Sequence, residues 1–166
     1  MLLEFLIWLE NLPPFVELRS STYYPVVLAL HLTAISLFGA MIVVTDLRLL
    51  GLTLTDSPAV QVIGELRWPK RAGLLLAATC GFLLFAAKAE AYFYNPFFRI
   101  KMLLFALVTL HSLLFQRSVY VKSANAAMPE RRAKLAASLS LALWVGILFA
   151  GRAIGYVQER SGLHFR

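Results

Sequence analysis

The sequence predicts an all-α integral membrane four-helix bundle with a short N-terminal interfacial helix, and three observations lead there. The chain of 166 residues is 60% hydrophobic and only 15% charged, whereas soluble domains are about 45–50% apolar. It contains four apolar runs near the roughly 20 residues that a helix needs to cross a bilayer core. Short polar connections between the runs favour antiparallel neighbours, hence a single membrane domain over residues 1–166. A formal charge of +7 raises the question of nucleic acid. The Lys and Arg residues, however, stand between and at the ends of the apolar runs, where they serve topology and acidic headgroups, and no nucleic-acid motif is present. Cys80 is the only cysteine, which excludes an intramolecular disulfide and a thiolate metal cage and reads as a small core residue.

Residues 1–22 form the interfacial segment. The stretch lacks a basic n-region and carries Glu4 and Glu10 among its apolar residues, unlike a signal peptide. Leu2, Leu3, Phe5, Leu6 and Leu9 can share one side of a short helix lying on the membrane surface, with Trp8 at its margin. Pro13 and Pro14 are expected to end it, and Ser20, Ser21 and Thr22 to cap the next element. The first span is predicted over about 23–45, with Tyr23 and Tyr24 at one interface and His31 inside the apolar run. Ser57 and Pro58 start a short helix in the following linker. The second span, about 72–93, contains Gly73, Ala77 and Gly81 at intervals of four, which lets a neighbour approach closely. Lys88 and Glu90 fall near its far end.

Asn95 and Pro96 form a cap and first helical residue for the third span, about 96–116. That span is the centre of the chain, because Lys101 and His111 interrupt it and ionisable groups inside a membrane usually turn toward protein. Gln116 to Lys134 reads as a polar connection, with Pro129 and Glu130 as the first turn of the last helix. The fourth span, about 135–156, carries a small-residue stripe of Ser138, Ala142, Gly146 and Ala150, then Gly151 and Gly155 around Arg152. His164 in the polar tail reads as a solvated side chain.

The first and third connections hold nine Lys and Arg residues, while the segment before Tyr23 holds only Arg19 against three glutamates; both termini are therefore expected outside the cytoplasm. Counting at about 1.5 Å per residue places His31 roughly 12 Å below Tyr23, Lys101 roughly 8 Å below Pro96, Lys88 roughly 8 Å below Phe93 and Arg152 roughly 6 Å below Tyr156. Four helices thus each bring a basic or titratable group to one outer layer. His111 lies roughly 22 Å from Pro96, in the inner third. The separation of His31 and His111 by roughly 10 Å in depth argues against both gripping one haem iron. A single-histidine site stays open, with His31 on the iron and Lys88, Lys101 and Arg152 on the propionates. Met41 is the candidate partner for His111. A quinone headgroup or another small anion suits the same outer layer.

The TDLRLLGL, NPFFRIKM and AGRAIGY segments resemble a family of four-span bacterial inner-membrane proteins of unknown function, over most of Tyr23 to Tyr156. That resemblance implies the fold and a multi-pass inner (plasma) membrane location but supplies no reaction. More remotely, His31, Lys101 and His111 are similar to the membrane protoporphyrinogen oxidase and copper-resistance membrane protein families, which implies haem b or another porphyrin as cofactor. Three functions stay open. One is a haem-, porphyrin- or quinone-binding redox protein with cofactor-binding residues His31, Lys88, Lys101, Arg152 and His111, and His31 as metal ligand. Another is an accessory subunit packed on other membrane subunits or in a homo-oligomer. The third is a small ion or metal transporter using Lys101 and His111. Against all three stands a structural role, in which each histidine simply hydrogen-bonds another helix.

Overall fold

A computed structural model describes residues 1–122 and 130–160; Pro129 and His164, for which the sequence carried expectations, lie outside them. The described residues form eight helices: α1 (Leu2–Glu10), α2 (Pro13–Ser20), α3 (Tyr23–Leu50), α4 (Ala59–Glu65), α5 (Arg67–Ala87), α6 (Ala89–Tyr94), α7 (Pro96–Lys122) and α8 (Glu130–Arg160). Four segments are long and apolar enough to cross a membrane: Tyr23–Leu50, Arg67–Ala87, Pro96–Phe115 and Arg131–Val157. The class is therefore all-α, with the four membrane-length helices expected of a four-helix bundle. Leu103, Leu110 and Leu114 on α7 and Leu148 and Phe149 on α8 are exposed, an apolar exterior that a bilayer matches and water does not. The chain is a multi-pass integral membrane protein.

Its contacts gather into two compact units, Met1–Ile42 with Glu65–Tyr94 and Val43–Gly64 with Asn95–Arg166. In the first, α1 turns Leu6 and Leu9 inward while Phe5 and Trp8 stay exposed, their rings 5.7 Å apart. Pro13 and Pro14 do more than end α1. They begin α2, occupying its first positions after Leu12, where a missing N–H forfeits no helical hydrogen bond. Phe15 of α2 then meets Phe82 of α5 edge to face at 6.2 Å. Of the three expected caps, Ser21 does the work for α3, its Oγ accepting the Tyr23 N–H at 3.2 Å. Ser20 instead donates back to the Val16 carbonyl at 3.0 Å.

The second membrane helix departs from expectation at both ends. It begins at Arg67, because charged residues are good helix formers and Pro69 falls within the first turn, where backbone N–H groups lack intrahelical partners anyway. It ends at Ala87 instead of continuing to about Phe93. Lys88 leaves helical geometry (φ −145°, ψ 46°), and α6 starts afresh at Ala89. Ala86, Ala87 and Ala89 are fully buried around this break.

Within the second unit, α3 stops at a left-handed Gly51 (φ 78°). The Gly51 N–H bonds to the Arg48 carbonyl at 3.1 Å and the Leu52 N–H to the Leu47 carbonyl at 2.9 Å, the paired closure of a Schellman motif. Arg48 donates Nε to the Ser57 carbonyl at 2.8 Å, tying the linker to the helix end. The short helix expected after Ser57 and Pro58 is α4, with Val62 buried. Helix occupies both ends of the Gln116–Lys134 stretch expected as a connection, since α7 runs to Lys122 and α8 begins at Glu130.

The α7–α8 pair is antiparallel. On α8 the buried residues Ala137, Ser140, Trp144, Ile147 and Ile154 follow the 3–4 spacing of a heptad seam. A row of every fourth residue drifts by about 40° per step, so the expected small-residue stripe divides: Ser138 and Ala142 face outward while Ala150 is buried. Gly146 faces Leu104, whose Cδ1 would lie 3.2 Å from an added Cβ. Phe105 packs edge to face on Trp144 at 5.9 Å.

Asn95, buried at the head of α7, caps it as expected, its Oδ1 accepting the Phe97 N–H at 3.0 Å and the Phe98 N–H at 3.3 Å. Its Nδ2 also donates to the Ile154 carbonyl at 3.4 Å. Asn95→Ala is expected to lower stability by about 1–2 kcal/mol, whereas Asn95→Asp keeps the cap but replaces the donor to α8 with a buried carboxylate oxygen facing the Ile154 carbonyl. Thermal unfolding of the two purified variants separates these contributions.

Candidate functional site

His31 sits in the seam between α3 and α5. Its Nδ1 lies 2.9 Å from the Ala77 carbonyl. A carbonyl only accepts, so Nδ1 carries the proton and, in the neutral ring, Nε2 carries the lone pair. Gly81 makes room for the imidazole: a Cβ there would lie 2.8 Å from His31 Cε1, against 3.7 Å from Nε2. Nε2 is thus the ring nitrogen set further from that glycine. One heptad along α3, Phe38 Cβ and Met41 Cε would lie 3.3 and 3.6 Å from a Cβ on Gly73. One heptad the other way, Lys88 Nζ stands 4.8 Å from the centroid of the Tyr24 ring. Tyr24, His31 and Phe38 therefore form one stripe of α3 that meets Lys88, Gly81 and Gly73 in antiparallel order. Seven residues of helix separate the His31 and Lys88 levels by about 10 Å. The Tyr24 and Tyr92 side chains also share a hydrogen bond.

The break beside Lys88 is held from α1 and α2. Arg19 pairs with Glu10 and donates Nη1 to the Ala87 carbonyl at 3.4 Å. The second oxygen of Glu10 accepts the Glu90 N–H at 3.0 Å. A cation thus caps the C-terminus of α5 and an anion the N-terminus of α6, each matched to the local helix dipole. The sequence marked Glu10 and Arg19 only as charges in the N-terminal segment and not as a pair, because their shared role depends on a helix break that no glycine or proline announces.

In the other unit, Lys101 projects into the α7–α8 seam, its Nζ 3.8 Å from the Cβ position of Gly151 and 6.0 Å from the Phe105 ring centroid. His111, on the same seam, places Nε2 3.0 Å from the Ala136 carbonyl and stacks its ring on Phe115 at 6.3 Å. Arg152 is exposed, with its guanidinium 5.1 Å from the Tyr156 ring. The structure thus groups His31 with Lys88 in one unit and Lys101, His111 and Arg152 in the other. Met41, the sequence candidate to pair with His111, packs at Gly73 in the first unit. Among the described residues no three His, Cys, Asp or Glu side chains gather to hold a metal ion; a porphyrin iron asks for only one protein ligand from such a seam.

No curated protein and no solved structure matches the chain. The remote likenesses to the protoporphyrinogen oxidase and copper-resistance families thus gain no support from these comparisons. The family level is clear: from residue 15 to residue 157 the chain matches, and so belongs to, the Family of unknown function (DUF6644).

Proposed function

We propose that this membrane protein binds a planar redox cofactor, haem b or another porphyrin, at the α3–α5 seam, where His31 would hold the iron. The observation that carries the reading is the bond from His31 Nδ1–H to the Ala77 carbonyl. Such a bond fixes the tautomer, orients the ring and raises the basicity of Nε2, as metal-binding histidines generally require. Lys88 fits a propionate partner, because its level lies about 10 Å from His31 along the seam, comparable with the reach from a porphyrin's centre to its carboxylates. The seam thus offers a ligand-type nitrogen and a cation at compatible levels. When bound, haem would supply one-electron chemistry; the chain would contribute the ligand and the cation. A quinone headgroup accepting hydrogen bonds from Lys88 is the alternative ligand of this seam.

Gently solubilised protein from haem-supplied cells is expected to show a Soret band that His31→Ala abolishes and His111→Ala retains. Colourless wild-type protein overturns the haem reading. A second reading, a small ion or metal transporter, draws on Lys101 and His111 sharing the α8-facing side of α7 about 15 Å apart. A proteoliposome flux lost on changing either residue would favour it over cofactor binding. We further infer a bacterial inner-membrane location with both termini outside the cytoplasm, from the cationic connections between spans. Reporter fusions to each terminus test that orientation.

A further inference from the structure

We propose that the α7–α8 seam binds a phosphate group at Lys101, and that its source is the headgroup of an acidic phospholipid. The inference concerns α7 and α8 alone and does not depend on what His31 holds. Three observations support it.

The first is charge. Neither α7 nor α8 between Arg131 and Val157 contains an Asp or Glu, and the end shared by the α7 start and the α8 finish carries Arg99, Lys101, Arg152 and Arg160 against the single Glu159. That end of the helix pair is positive on both strands of the hairpin, and cations at the start of α7 also oppose its helix dipole.

The second is placement. Lys101 lies about 8 Å along α7 from Pro96, and its ammonium faces Gly151 of α8 instead of the lipid side of the helix. Its described surroundings are a glycine and the Phe105 ring, which packs on Trp144. An ammonium within an apolar span is costly unless an anion or water reaches it. The face of one phenyl ring at 6.0 Å is at the outer limit of a useful cation–π contact and offsets little of that cost.

Third comes room. A methyl group at Gly151 would meet Nζ and Cε only at ordinary contact distance, 3.8 and 3.9 Å. The glycine therefore leaves room for about one methyl group beside the ammonium, so a small oxygen atom can approach it without moving α8. A phosphate oxygen reaching Lys101 from the headgroup layer would enter at the end of α8 where Arg152, next in sequence to Gly151, is exposed. Lys binds phosphate as a point charge and tolerates the varied geometries of a lipid headgroup.

The test is thermal unfolding of the full chain in neutral detergent, with added phosphatidylglycerol, phosphatidylcholine or inorganic phosphate. Phosphatidylglycerol is expected to raise Tm by roughly 5–10 °C over phosphatidylcholine at about a hundredfold excess over its Kd. Lys101→Arg keeps that rise, Lys101→Gln loses most of it, and Arg71→Gln, a surface cation of α5, leaves it unchanged. Should Lys101→Gln not fold, Gly151→Val, which crowds the ammonium without removing it, is expected to diminish the rise. A Lys101-dependent rise from inorganic phosphate alone would support the phosphate chemistry and make the source a free ion. An equal rise in wild type and Lys101→Gln, or none from either phosphate source, would overturn the proposal.

Discussion

Glu10→Ala is expected to destabilise the protein by about 2–3 kcal/mol and to loosen α6 selectively. The carboxylate is 15% exposed and the Arg19 side chain 32%, so the pair is shielded without being fully dry. Removing one member of a fully buried pair costs about 3–5 kcal/mol, and partial exposure discounts that figure. Two losses coincide in this variant. The Arg19 guanidinium is stranded beside the Ala87 carbonyl, and the Glu90 N–H loses its acceptor. Arg19→Met should cost less, because it removes the charge while keeping an apolar stem against the same surface. In the double variant Glu10→Ala/Arg19→Met, part of the Glu10→Ala penalty should disappear, since no charge is left stranded. Denaturant unfolding measures the cycle, and amide hydrogen exchange over Ala89–Tyr94 reports the local effect. Unchanged exchange there in Glu10→Ala would mean that α6 keeps its place without the clip.

Replacing Gly81 should be comparably damaging, for a steric reason. A Cβ at this position would lie 2.8 Å from His31 Cε1, closer than carbon atoms tolerate, so Gly81→Val must displace the ring. Overpacking of this kind costs about 1–3 kcal/mol. The rotated ring also gives up its bond to the Ala77 carbonyl, worth about 1 kcal/mol. A loss of about 2–4 kcal/mol is therefore expected, together with any chromophore that His31 ligates. His31→Ala should relieve much of the penalty, and the coupling read from that cycle is the diagnostic quantity. Gly39 provides the control, because an added Cβ there meets nothing within 4 Å. Gly39→Ala should be neutral or stabilise the helix by up to about 1 kcal/mol. Equal destabilisation at both glycines would mean that helix backbone effects dominate and that the close approach at His31 is unimportant.

The two histidines show how far one sequence carries. Their position within apolar runs was legible, and so was the possibility that each simply hydrogen-bonds another helix. Both do bond a backbone carbonyl, of Ala77 and Ala136 respectively. The heptad stripe of Tyr24, His31 and Phe38 was present in the spacing, but only the packing of α5 shows that Lys88, Gly81 and Gly73 answer it. Gly81 was readable as a small residue that permits close approach. That the approaching group is the His31 ring was not.

Composition alone determined the four membrane-length helices, because lipid imposes one requirement, sustained apolarity over a fixed length, that no distant contact can supply. The local start signals at Asn95 and at Ser57 with Pro58 belong to the same level, since each acts through a few neighbouring backbone groups; the first helix, expected to end near residue 45, instead runs to Leu50 and closes at Gly51. The break at Lys88 belongs to the other. Residues 86–90, Ala-Ala-Lys-Ala-Glu, are strong helix formers with no intrinsic reason to stop. The clip formed by Glu10 and Arg19 supplies the charges that make two new helix ends tolerable there. Those partners lie 68 and 80 residues away in sequence, and only the folded chain brings them to the interruption they stabilise.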